Sequence, residues 1–337
     1  MADTPTRPAS PDTLPPVEPP SAAFLVQLFL VPAIIVTIIV FVWLAFHWLA
    51  QLGNDPEGYV KTLRRDSEGR WQAALNLAND LRGPGGAALK ANAELAGELG
   101  LILDGEAASG RLAGAGNAAE QSRTLCTYLC RALGEFAVPE AAPPLVARTS
   151  ADDPQVARAA LEALAVLADN LSHAGRGFAD PESVQQAVIA ASRNDDPLVR
   201  SRAAYALGVV GGGGAQERLR ELCGEAAEDV RSNAALGLAR LGDVTAYETL
   251  GEMLAQPDPD AAPGDEVAQA RRYKRALVVV NALKGVGLLV DASREPPPGE
   301  VIERIRALTT DPVVDVRTGA SALVSKLDRI ATNATVP

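Results

Sequence analysis

The chain of 337 residues is short of aromatic side chains, cysteine and histidine: aromatics make up 4%, with three cysteines and two histidines. Few aromatics beside abundant Ala, Leu, Val and Gly disfavour a sheet and favour closely packed helices, so the expected class is all-α. Cys126, Cys130 and Cys223 are an odd number at spacings that form no disulfide framework, which fits a reducing compartment. Cys126 and Cys130 would share one face of a helix, but a closed zinc site needs four ligands. Cys223 is distant, only His47 and His173 remain, and the pair reads as small buried apolar groups. No Ser/His/Asp or Cys/His set can be assembled, so no catalytic residue, metal ligand or cofactor site is expected. Basic charge is also short, 31 Lys and Arg against 42 Asp and Glu for a net charge of −11. Such a chain repels nucleic acid at long range, and no nucleic-acid partner is expected.

Three regions follow one another. Residues 1–21 hold seven prolines and almost no large apolar side chain, which predicts a disordered, partly polyproline tail. From Phe24 to Ala50 there is no Asp, Glu, Lys or Arg over twenty-seven residues, where about twenty suffice to cross a bilayer. This span, residues 24–50, is expected to be a transmembrane helix. Pro32 would kink it or mark one interface, and Trp43, His47 and Trp48 would form the interfacial belt at the other. A cleaved signal peptide competes with this reading, against the length of the segment and the single basic residue, Arg7, before it. Lys61, Arg64, Arg65 and Arg70 follow the span, so the positive-inside rule puts the N-terminus outside and the body in the cytoplasm, at the inner membrane. From Asn54 onward the body carries 30 basic and 39 acidic residues.

Within the body a unit recurs. DDPQVARAALEALAVL from Asp152 aligns with DDPLVRSRAAYALGVV from Asp195, EDVRSNAALGLARLG from Glu228 and DPVVDVRTGASALV from Asp311. Shorter echoes at Arg70, Thr124 and Arg275 bring the copies to seven. Asp196 is placed to cap a helix that starts with Pro197, and Val199, Ala203, Ala206, Leu207 and Val210 make one apolar stripe. Gly211 stands where a left-handed residue ends such a helix. Small residues at 203, 204 and 206 allow a neighbouring helix to come close, and a short amphipathic run precedes each such helix, so the unit is a helical hairpin.

The pattern Asp-x-x-Val-Arg-x-x-Ala-Ala-x-Ala-Leu-Gly resembles HEAT repeats, in the short bacterial form similar to those of phycobilin lyases. The resemblance covers residues 56–330 and implies an α-solenoid of about seven helix pairs with a concave ridge open to partners, followed by a C-terminal tail at 331–337. It also implies that motif Asp and Arg residues form a ladder between successive repeats, here Asp196, Arg200, Asp229, Arg231 and Arg317. In the copy at 153 Ala157 replaces the arginine. The implied function is a membrane-tethered scaffold that binds a protein partner without catalysis of its own. The alternative is a lyase-like or carrier protein holding a small apolar ligand such as a tetrapyrrole.

Other motif-like stretches are weaker. Gly211–Gly214 and Gly83–Gly86 lack the Gly-Lys-Ser/Thr of a phosphate loop and read as helix breaks, and 104–117 reads as a long connection. The segment from Gln256 to Arg275 interrupts the sixth repeat with an acidic proline loop, then places Arg271, Arg272, Lys274 and Arg275 around Tyr273. These five are the candidate partner-binding residues, since basic charge early in a helix opposes its dipole unless an anion meets it. The competing reading is a solvated face neutralised by the acidic loop.

Overall fold

A computed structural model describes residues 22–51, 56–65, 67, 69–259 and 265–334. The expected tail at 1–21 lies outside the described residues. The chain divides into two units, residues 1–53 and 54–337. In the first, α1 (Ala22–Gln51) is one continuous helix that runs through Pro32. From Val26 to Phe46 its side chains are exposed, and that stretch has a mean hydropathy of 2.9. It is long and apolar enough to cross a membrane. A signal sequence near an N-terminus has the same character.

The second unit is an array of seven helix pairs. In chain order they are α2 (Pro56–Arg64) with α3 (Arg70–Arg82), α5 (Ala93–Ala108) with α6 (Asn117–Gly134), and α7 (Ala142–Arg148) with α8 (Pro154–His173). Then come α9 (Pro181–Ala191) with α10 (Pro197–Val210), α11 (Gly213–Cys223) with α12 (Glu228–Arg240), α13 (Ala246–Leu254) with α14 (Glu266–Ser293), and α15 (Gly299–Ala307) with α16 (Val314–Ala334). A single turn, α4 (Ala87–Lys90), joins the first two pairs. No strand occurs among the described residues.

Local chemistry explains the boundaries. Asp153 accepts from the N–H groups of Gln155 and Val156, Asp196 from Leu198 and Asp265 from Ala268, so three second helices begin on a carboxylate cap. In two of them Pro takes the first helical position, where its missing donor costs nothing. Gly211 ends α10 at φ 70° and donates to the Leu207 carbonyl. The glycine run after it is not all break: only Gly211 and Gly212 have positive φ, and Gly213 and Gly214 open α11. The stretch 104–117 is likewise partly helical, because α5 continues to Ala108. α16 extends to Ala334, beyond the expected end of the array at 330.

The second helix of each pair packs on the second helix of the next more extensively than the first helices do on one another. The second helices thus form one closely packed row, the inner row of the array. Small residues set that closeness. A Cβ on Gly208 would overlap the Cα of Gly237 where α10 crosses α12, and one on Gly134 would lie 2.8 Å from the Cα of Ala163 where α6 crosses α8. One apolar core, rich in Leu and Ala, runs the length of the unit. α14 is also long and apolar enough to span a membrane, but Ala276, Val279, Ala282, Leu283 and Val286 bury one side of it in this core.

Candidate protein-interaction surface

The motif arginines act on turns. Arg200, Arg231 and Arg317 each donate to two carbonyls of the turn before their own helix: those of Asn194 and Asp195, Glu225 and Ala226, and Asp311 and Pro312. Arg200 also reaches Glu225, in the turn of the next pair, with Nε 3.2 Å from the carboxylate. Two further rungs repeat that geometry. Arg123 on α6 pairs with Asp153 before α8, and Arg275 on α14 lies 2.6 Å from Asp311 before α16. A ladder between successive pairs thus runs from an arginine on a second helix to an acid in the following turn. Asp196 is not its acid, because its carboxylate caps α10, and Asp229 projects from the first turn of α12 toward Lys274, 3.9 Å away. Where Ala157 replaces the arginine, no ion pair joins α8 to the next turn among the described residues.

The basic cluster divides by helix phase. Arg275 is 8% exposed, held by Asp311 and by the Gln256 carbonyl 3.0 Å from its Nε. Arg272 makes a two-pronged pair with Asp258 at 2.8 and 2.9 Å. Both therefore serve the fold, and the acidic loop does neutralise part of the cluster. Arg271, Tyr273 and Lys274 remain exposed. In α1, Trp43 is exposed, and the side chains of His47 and Trp48 lie outside the described residues.

The core stripe of each second helix leaves an opposite stripe uncovered on the inner side. On α12 it is Asp229, Asn233, Leu236 and Arg240, of which Asn233 and Leu236 are half-buried, and on α14 it is the exposed Leu277, Asn281, Lys284 and Leu288, at the three- and four-residue spacing of one helix face. Across α8, α10, α12 and α14 these stripes form a groove with a pocket of about 230 Å³. Arg158, Leu198, Asn233, Leu236, Val278 and Asn281 are among its walls, with the buried Met253 beneath. Ser201 Oγ donates to the Asp229 carbonyl and accepts from Asn233 Nδ2 at 2.8 Å, which fixes part of the polar wall. Aromatic rings extend the same surface: Trp71 on α3 stacks on Tyr128 at 5.9 Å, Arg131 lies over Tyr128, and Arg240 lies over Tyr205 at 5.1 Å.

Charge is sorted between the two rows. The seven second helices carry seventeen Lys and Arg against ten Asp and Glu, whereas the seven first helices carry seven against twelve. Some second-row cations are spent on rungs. Arg131, Arg158, Arg240 and Lys284 enter no ion pair among the described residues. The surplus of the second row is thus mostly used inside the fold, and the groove itself carries Arg158 and Arg202 beside Asp229.

Two other places carry perturbed groups. Glu106 on α5 is 3% exposed and accepts from Arg70 Nη1 at 2.9 Å, from Arg111 Nε at 2.9 Å and from Ser122 Oγ at 2.6 Å. Burial alone would raise its pKa, but the hydrogen bonds from Arg111 and Ser122 and the charges of Arg111 and Arg70 outweigh it and hold the carboxyl below its ordinary value. This clip ties the first two pairs together beside a cavity of about 290 Å³. Burial pushes the thiol of Cys126 up to about 12 and raises that of Cys130 further, so both stay protonated at neutral pH. Among the described residues no group of His, Cys, Asp and Glu could hold a metal ion.

No curated protein matches this sequence. Among solved structures the chain is similar to human deoxyhypusine hydroxylase in complex with glycerol, at 20% identity and a TM-score of 0.33, over 82% of this chain and 97% of that one. It is also similar to the complex of CpcE and CpcF of phycocyanin lyase from Nostoc, at 17% identity and a TM-score of 0.45, over 81% and 94%. An engineered protein is similar at 17% identity and a TM-score of 0.32, over 82% and 98%. None of these likenesses transfers an activity. Residues 184–262, from within α9 to beyond α13, match the family of HEAT repeats. The same hairpin recurs on either side of them, so the described body is a helical solenoid of HEAT-like pairs.

Proposed function

We propose that this protein is a membrane-tethered scaffold: α1 holds the repeat array at a membrane, and the inner row of second helices receives a protein partner. The reading rests above all on that row, where side chains left out of the core combine apolar groups, unpaired basic groups and a side-chain-sized pocket. Leu198 is 47% exposed, Leu277 47% and Tyr273 68%. An exposed apolar strip with a polar rim is the usual mark of a protein contact. The bias of Lys61 and Arg65 after α1 supports a cytoplasmic body.

A carried tetrapyrrole finds less support, since pockets for ligands of that size span about 300–1,000 Å³ and are largely apolar. The inner pocket has about 230 Å³. Larger clefts, of about 610 and 650 Å³, lie against first helices and have charged walls, among them Arg220, Glu248 and Glu252 in one and Lys61, Arg64 and Glu98 in the other. The test is recovery of partners with the full-length protein solubilised from membranes. The Leu198→Asp/Leu277→Asp variant is expected to lose a partner that Leu101→Asp, on first helix α5, retains. Equal recovery by both variants would contradict the proposal.

A further inference from the structure

We infer that the cavity between the first two pairs is a binding site for a small organic carboxylate, whose anionic end meets Arg70 and Gln121 and whose carbon body lies against Trp71 and Leu125. The first ground is charge. Among the residues lining the cavity, the guanidinium groups of Arg70 and Arg111 stand against the single carboxylate of Glu106. That carboxylate is 3% exposed and already accepts from Arg70, Arg111 and Ser122. The Arg70 side chain is itself only 14% exposed, so water screens its charge little. A guanidinium group in such a place is matched by a carboxylate, which can accept two parallel N–H bonds from it. The start of α6 adds to the field: Ala118 in its first turn lines the cavity, and no side chain caps the helix.

The second ground is the supply of donors. Arg70 donates from Nε to the Leu63 carbonyl at 2.7 Å and from Nη1 to Glu106 at 2.9 Å, and its Nη2 makes no hydrogen bond among the described residues. The side chains of Trp71 and Gln121, half-buried in the wall, likewise make none among the described residues. The third ground is shape. Trp71 is fixed by its stacking on Tyr128 at 5.9 Å and forms an apolar side of the cavity with Leu125 and Ala118. The volume of about 290 Å³ stands near the lower end of the range of small-molecule pockets, about 300–1,000 Å³. A bare ion leaves the apolar side against water, and a neutral molecule leaves the charge unmet. A small molecule with one carboxylate and a short or planar carbon body satisfies both.

The full-length protein in uncharged phosphatidylcholine nanodiscs can be titrated by calorimetry with benzoate, with its neutral isostere benzamide and with inorganic phosphate. Benzoate is expected to bind at least roughly tenfold more tightly than either of the others. Gln121→Glu adds a negative charge to the wall without removing a bond of the clip, and near the start of α6 a carboxylate suits the helix dipole. This variant should fold as the unaltered protein does, weaken benzoate by roughly tenfold and leave benzamide unchanged. Leu198→Asp, in the inner groove, should alter none of the three. Phosphate that binds as tightly as benzoate, with the same loss in Gln121→Glu, would overturn the organic carboxylate in favour of a bare oxyanion. Benzamide that matches benzoate, or benzoate binding that Gln121→Glu leaves unchanged, would overturn the site. So would a folded protein that binds none of the three probes at about 10 mM.

Discussion

The two helix rows are built from one repeat, yet they differ in packing and in charge. Second helices meet at glycine and alanine with backbones in contact, and they supply the arginines of the rungs. First helices carry more acid, and several of their glycines face open space: a Cβ on Gly97 or Gly105 would meet nothing within 4 Å. The tight row is the geometric frame of the array, and a closely packed frame suits the proposed binding face, because a preorganised surface has little ordering entropy to lose on binding.

The largest way to break that contrast is at a rung. Arg275→Met leaves the Asp311 carboxylate, 6% exposed, without its ion partner in the turn before α16. The expected loss is about 3–5 kcal/mol of stability, read as a lower denaturation midpoint, and Arg275→Met/Asp311→Asn should restore much of it. Next comes the crossing of α10 and α12. Gly208→Ala places a methyl against the backbone of Gly237 and should cost about 3 kcal/mol. In the first row, Gly97→Ala should instead stabilise by about 0.5–1 kcal/mol, because it adds helix propensity where there is room. Equal effects at the two glycines would erase the distinction between the rows.

A smaller effect sharpens it through pH. The Glu106 pKa is lower in the folded protein than the ordinary carboxylate value. The clip therefore contributes stability above about pH 4.3, the unfolded value, and loses that contribution as pH falls through the folded value. Thermal midpoints followed from pH 7 to pH 3 should fall in that window, and Glu106→Gln should flatten part of the fall while lowering the midpoint at pH 7. If Glu106→Gln leaves the acid limb unchanged, the clip contributes nothing.

Much of the fold was legible because it is local. Asp196, Pro197 and Gly211 mark a helix's ends within fifteen residues, and the small residues at 203 and 204 announce close packing. The rungs were less so: Arg275 and Asp311 are thirty-six positions apart, and only three dimensions show that the acid sits in the following turn. Asp196 and Asp229 were natural ladder candidates by resemblance, but the cap at Asp196 uses its carboxylate and the phase of α12 turns Asp229 into the groove. Phase also misled at Arg271 to Arg275, where a run in sequence divides between core and solvent. The inner face left a signal that could have been read. Leu198 and Leu277 fall outside the core stripe of their copies and are exposed. Nothing local in the glycine run before α11 says that its last two residues join the helix.

The central claim is that partners meet the second helices rather than the first. A photo-crosslinking residue placed at Leu277 on α14, compared with one at Leu101 on α5, both well exposed, tests it in intact membranes. A discrete crosslinked species from position 277, absent from 101 and abolished by Leu198→Asp, is the predicted result. A species from position 101 alone would contradict it.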